Sequence, residues 1–145
     1  MRAFARLCRE HRSLGPLLER LHTGGPEWSR DLERLRRALA AHVDLEERIL
    51  YPSLRESPAT RHVTLEALEE SRIMRSLLEH LATLDVRDRD WATTVAALNE
   101  SVRRHIDEVE GPLFSRAVGA LDDDELAAIG ARLDAERQPS DARGR

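Results

Sequence analysis

Cysteine, aromatic residues, lysine and long apolar runs are all scarce or missing in this chain of 145 residues. The single cysteine, Cys8, excludes an internal disulfide and any zinc site built from several thiolates. A lone cysteine of this kind is expected as a small buried hydrophobe. Aromatic residues make up 3% of the chain, and β-branched residues are sparse beside Leu, Ala, Glu and Arg, which argues against a β-sandwich or barrel. No apolar run approaches the roughly 20 residues that span a bilayer. The opening stretch from Met1 to Ser13 has no apolar core of the kind a signal peptide needs, so a cytoplasmic protein is expected. All 23 basic residues are arginine, a bias of composition, and the net charge of -4 makes nucleic acid a poor partner. There is no Gly-rich phosphate loop and no serine-nucleophile motif.

What the chain does have is helical periodicity. Phe4, Leu7, His11, Leu14, Leu18 and Leu21 recur at spacings of three and four. The same spacing relates Trp28, Leu32, Leu35, Leu39, His42 and Glu46, then Ala67, Ser71, Met74 and Leu78, then Trp91, Val95, Leu98, Val102 and His105. Each set falls on one face of a helix, as the interior seam of a bundle requires. Thr23 to Pro26, Pro52 with Ser57-Pro58, and Asp85 to Asp90 separate the stripes. Gly15-Pro16 is expected to kink the first helix and Gly111-Pro112 to disturb the fourth near its end. Asp122 to Asp124 suit the N-terminus of a short fifth helix carrying Leu126, Ile129 and Leu133. Short connections between long helices predict an all-α, up-down-up-down antiparallel four-helix bundle with a short C-terminal fifth helix. One domain is expected over residues 1–137, with a flexible tail at 138–145.

The chain also repeats itself. Trp28, Leu32, Leu35, Leu39 and His42 match Trp91, Val95, Leu98, Val102 and His105 at a constant offset of 63, and Tyr51 matches Phe114. Glu10-His11-Arg12 matches Glu70-Ser71-Arg72 at an offset of 60. Two helical hairpins related by an approximate two-fold axis account for both. The paired tryptophans are expected as plugs at equivalent ends of the bundle, and Tyr51 and Phe114 as packing seals.

His11, His42, Glu46 and His105 interrupt these apolar stripes. A buried carboxylate must be paired, protonated or bound to a cation. His42 and Glu46 are one helical turn apart on one face, while His11 and His105 come from other helices. Inward histidines and carboxylates on facing helices are how bundles hold metals, and imidazoles with one carboxylate match open non-haem iron sites. His22, His62 and His80 are expected at the surface.

Glu10-His11-Arg12, His42-Val43-Asp44-Leu45-Glu46 with Leu50-Tyr51-Pro52, and His105 with Glu110, Leu113 and Phe114 together resemble the hemerythrin-like, HHE cation-binding family, and the resemblance covers nearly the whole chain. It implies a helical bundle around two carboxylate-bridged non-haem irons, serving dioxygen binding, oxygen or redox sensing, iron handling, or reaction with peroxide or nitric oxide. It places His11, His42, Glu46 and His105 at ligand positions. The sequence departs from that pattern where Ser71 stands for a histidine and Val109 for the carboxylate equivalent to Glu46. Glu110 either supplies the last-helix carboxylate, five residues after His105, or lies outside the site as the counterpart of Glu47. The resulting expectation is a degenerate centre holding one ion or none, with a small diatomic or peroxide ligand as partner. The alternative is a metal-free structural or protein-interaction bundle.

Overall fold

A computed structural model describes residues 2–136, so the tail expected at 138–145 lies outside the described residues. Among them every regular element is helical. A 3₁₀ turn at Arg2–Phe4 leads into α1 (Ala5–Thr23), followed by α2 (Trp28–Leu45), α3 (Tyr51–Arg55), α4 (Pro58–Leu81), α5 (Trp91–Glu108), α6 (Phe114–Ala120) and α7 (Asp123–Ala135). π turns at Glu46–Leu50 and Val109–Leu113 join α2 to α3 and α5 to α6 without a break in the helical backbone. α1 packs on α2 and α4 on α5, while α1 also meets α5 and α2 meets α4, which closes a helical bundle. No helix among the described residues is long and apolar enough to cross a membrane.

The two π turns start 63 residues apart, so the internal repeat extends to the backbone. They also correct one expectation. Pro52 does not end the second rod, which runs on to Arg55, because the widened turn relocates the hydrogen bonding ahead of it: the Tyr51 N–H donates to the Glu46 carbonyl five residues back. The break comes at Ser57, which is extended (ψ 130°) ahead of Pro58. Pro112 lies inside the second π turn, which is the disturbance expected there. α1 continues through Pro16 to Thr23. The α7 N-terminus is closed by a capping box in which the Asp122 carboxylate accepts from the Glu125 N–H and the Glu125 carboxylate accepts from the Asp122 N–H.

At the C-terminus of α1, Gly24 adopts φ 62° and ends the helix left-handed, with its N–H donating to the Leu21 carbonyl. A Cβ at Gly24 would also lie 3.2 Å from Val86 Cγ2. Gly24→Ala is therefore expected to lower stability by about 1–2 kcal/mol in urea unfolding. An unchanged midpoint would mean that the α1–α2 turn tolerates a side chain.

The apolar core falls into two clusters. One gathers Phe4, Leu7, Ile49, Leu50, Leu113 and Phe114 with the apolar face of α7; the other gathers Leu14, Leu18, Leu35, Leu39, Met74 and Leu98. Phe4 stacks on Phe114 in the first, with ring centroids 4.1 Å apart. The repeat-related Trp28 and Trp91 meet edge to face at 5.2 Å, so they close one and the same end of the bundle. His11 stands between Leu7 and Leu14 on α1, and His42 between Leu39 and Leu45 on α2. The candidate site is thus a polar layer between the two apolar clusters.

Candidate metal centre

The π turn that carries Glu46 follows directly on the α2 turn that carries His42, so both side chains enter the interior from one rod. α1 delivers His11 and α5 delivers His105. All four are buried, and one ligand atom from each can be chosen so that the four lie within 4.8 Å of one another. The Glu46 carboxylate, fully buried, is the focus. Its Oε2 is 3.0 Å from His42 Nε2, 3.2 Å from His105 Nε2 and 3.5 Å from His11 Nε2. The Tyr51 hydroxyl donates to Oε1 at 3.2 Å. The three rings stand nearly edge to face, with centroids 4.6–5.9 Å apart.

The outer ring nitrogens are held by two further carboxylates. His42 Nδ1 lies 2.7 Å from Glu10 Oε1, and His11 Nδ1 lies 2.6 Å from Glu110 Oε2. Each contact makes Nδ1 the donor and leaves Nε2 facing the centre. Glu110 therefore does not converge with the other four candidates. It sits behind the His11 ring, and its side chain is 36% exposed.

Charge and burial oppose one another here. Burial disfavours the charged form of His42, but the Glu46 charge beside it and the hydrogen bond to Glu10 win, pushing it up to about 9. Burial likewise works against ionised Glu46, yet the charges of His105 and His42 hold its carboxyl well below the usual range. Glu10 is lowered despite burial by hydrogen bonds from His42 and Arg6. Burial and the nearby Glu46 charge raise Tyr51, so its hydroxyl keeps its proton as a donor to that carboxylate. The raised His42 and the lowered Glu46 favour the same charged pairing between imidazole and carboxylate.

The donor set fits a metal ion. His11 Nε2 and His42 Nε2 are buried without an aligned hydrogen-bond partner, although each is close to Glu46 Oε2. Two donors on opposite sides of one ion with bonds of ~2.1 Å sit at most ~4.2 Å apart. The observed limit of 4.8 Å needs only a small inward contraction at the widest pair.

The family profile of the hemerythrin HHE cation binding domain matches residues 2–117. The chain belongs to the hemerythrin HHE family. No curated protein and no solved structure gives a match. The matched segment contains the whole cluster and ends before α7.

The positions where this hemerythrin-family chain departs from the pattern are both buried. Ser71 donates to the Ala67 carbonyl at 3.1 Å, and Val109 packs in the apolar cluster with Leu113. The repeat is also broken around them. Glu10 holds His42 in the first hairpin, whereas its counterpart Glu70 leaves Oε1 without a hydrogen-bond partner, 3.8 Å from Arg104, and His105 Nδ1 has none either. His22, His62 and His80 are exposed, as expected. Cys8 is not the buried hydrophobe expected. It is half-buried beside Glu110, and burial with that neighbouring charge pushes its thiol up.

Two roles were not read from the sequence. One is Glu10 as the acceptor for His42, and the other is Arg6, which grips Glu10. The four-residue spacing of Arg6 and Glu10 was available as a signal. The partnership with His42 depends on how α1 and α2 are rotated against each other, which spacing along one helix does not encode.

Proposed function

We propose that this protein binds a single non-haem iron ion through His11, His42, Glu46 and His105, and presents it to a small ligand such as dioxygen, peroxide or nitric oxide. The observation that carries the reading is the convergence of three imidazoles on one fully buried carboxylate, with two of the facing nitrogens lacking aligned partners. Nitrogen and oxygen donors without thiolate suit a divalent first-row ion. When bound, the ion supplies a Lewis-acidic, redox-active centre with room for a further ligand. Glu46 supplies the negative charge, and Glu10 and Glu110 fix the ring orientation of His42 and His11. Tyr51 orients the second oxygen of Glu46. The apolar clusters on both sides keep bulk water out. In this reading the rods form an up-down-up-down bundle, the domain spans residues 1–137 and the protein works in the cytoplasm.

The second hairpin lacks the donors for a second ion, because serine and valine occupy positions 71 and 109. Iron titration under anaerobic conditions with elemental analysis is expected to give one ion per chain. Ser71→His combined with Val109→Glu is expected to raise that to two. Two tightly bound irons in the unmodified protein would overturn the single-site reading.

A metal-free structural bundle is the second reading, favoured by the pairing of His42 and His11 with carboxylates at 2.7 and 2.6 Å. An ion bound only to the folded state raises stability by mass action. A melting temperature that drops on addition of a chelator supports the metal reading, and one that ignores both chelator and iron supports the structural one.

A further inference from the structure

Arg6 is an arginine buried to 4% exposure in the first turns of α1, and its guanidinium faces in two directions. Nη1 donates to the carbonyls of Leu133 at 2.7 Å and Glu136 at 2.8 Å, at the C-terminus of α7. Nε donates to Glu10 Oε2 at 2.6 Å, and the other oxygen of the same carboxylate meets His42 Nδ1 at 2.7 Å. An unbroken series of short polar contacts therefore runs from the end of α7, through Arg6 and Glu10, to an imidazole of the cluster.

Physical chemistry gives each contact a reason. The Leu133 carbonyl, in the last turn of α7, lies at the negative end of the helix dipole and accepts from Arg6 beside the Glu136 N–H, and the Glu136 carbonyl, just past the helix end, takes the same Nη1. A buried guanidinium also needs a counter-charge, which Glu10 provides. Glu10 has two oxygens and divides them, one for Arg6 and one for His42. If α7 lifts away, Arg6 loses two acceptors at once. It then turns to solvent, which leaves the Glu10 carboxylate unanchored on its Oε2 side, or takes both oxygens of Glu10, which removes the acceptor of His42; either way the contact that orients the His42 ring is weakened.

The fit of α7 is close enough to transmit this. A Cβ at Gly130 would stand 3.0 Å from Ala3 Cα and 3.2 Å from the Ala3 carbonyl oxygen, so α7 approaches the N-terminal segment with no space for a side chain. Leu126, Ile129 and Leu133 bury in the cluster that contains Phe4, Ile49 and Phe114. Glu136 adds an ion pair with Arg48 at 2.5 Å. The α7 side of these contacts lies beyond the matched family segment, which ends at residue 117, and their partners lie within it.

We propose that Arg6 and Glu10 are positioning residues that couple the docking of α7 to the centre, so that α7 attachment and metal affinity rise and fall together. The metal half of this coupling rests on the single-ion reading above. Coupling between two sites is reciprocal: if docked α7 tightens metal binding, bound metal must hold α7 down by the same factor.

The test uses the full-length protein and iron(II), anaerobically, with Co(II) as a spectroscopic probe. Arg6→Gln and Gly130→Leu disturb the coupling from opposite ends, and neither touches the ion. Both are expected to weaken metal binding ~10–100-fold. In the unmodified protein, saturating metal is expected to slow hydrogen exchange of α7 amides by a similar factor, and Glu10→Gln is expected to abolish that response. Leu18→Ala, in the other apolar cluster, serves as a control for general destabilisation and is expected to leave affinity unchanged. Unchanged affinity in both Arg6→Gln and Gly130→Leu, or α7 exchange that ignores bound metal, overturns the proposal. If the unmodified protein takes up neither metal, the single-ion reading fails, and the coupling is judged separately by the His42 Nδ1 proton in metal-free spectra. Gly130→Leu is expected to broaden or shift that signal, and an unperturbed signal overturns the coupling as well.

Discussion

Glu46→Gln is expected to weaken divalent metal binding roughly 10²–10³-fold, the largest single loss at this centre. Glutamine keeps the shape of the side chain and can still accept at one oxygen, so packing between Tyr51 and the three imidazoles is largely preserved. What it removes is the one carboxylate charge that sits inside the cluster: Glu46 is fully buried, whereas Glu10 and Glu110 lie behind the rings they hold. Leaving a buried charge without its partner costs about 3–5 kcal/mol, and the lower part of that range, about 3–4 kcal/mol, corresponds to the stated loss in affinity. Competition against a chelator of known affinity measures the change. A loss below tenfold would mean that the ion is held elsewhere or that neutral imidazoles suffice. Tyr51→Phe makes a graded comparison, because it removes one 3.2 Å donor to Glu46 and leaves the charge in place.

The second large effect is on pH dependence, and its direction reverses when metal is added. His42 is raised in the fold from 6.5 to about 9. Its stabilising contribution is therefore complete below about pH 6.5 and disappears as pH rises through 9. Glu46 and Glu10 are lowered from 4.5, so their contributions are complete above that value and are lost in acid. The metal-free protein is accordingly expected to be most stable between about pH 4.5 and 6.5, losing a few kcal/mol toward pH 9. With roughly 1 kcal/mol shifting the melting temperature of a domain this size by ~3 °C, a fall of ~5–10 °C should be measurable by calorimetry in chelator. Metal binding displaces the His42 proton, so affinity should climb by about tenfold per pH unit across the same interval. The gap in melting temperature between metal-treated and chelated protein then widens with pH. A gap that stays constant from pH 6 to 9 would show that no proton leaves on binding.

Both effects depend on features of unequal legibility in the sequence. His42 and Glu46 were legible because a four-residue spacing fixes two side chains on one helical face whatever the rest of the molecule does. His11 and His105 were legible because each stands in an apolar stripe, and a stripe must face inward. Glu110 shows where such reading ends. Its spacing from His105 allowed a place in the cluster, but Val109, one α-helical turn after His105, occupies the buried face there, and Glu110 is found behind His11 instead. The widened turn at Glu46–Leu50 lets the second rod continue past Pro52, so that of the two signals read between the second and third stripes only Ser57-Pro58 makes the break.

By itself, the sequence determined the helical character, the doubling of the hairpin, the inward histidines and the presence of serine and valine at positions 71 and 109. These follow from local periodicity and residue chemistry, which act over one or two turns. Only the tertiary structure decided which carboxylate serves which imidazole, and that the end of α7 reaches Arg6, 127 residues away from Leu133 in the chain. Those choices depend on the rotation and offset of packed helices, where a shift of one ångström changes which oxygen a ring nitrogen meets.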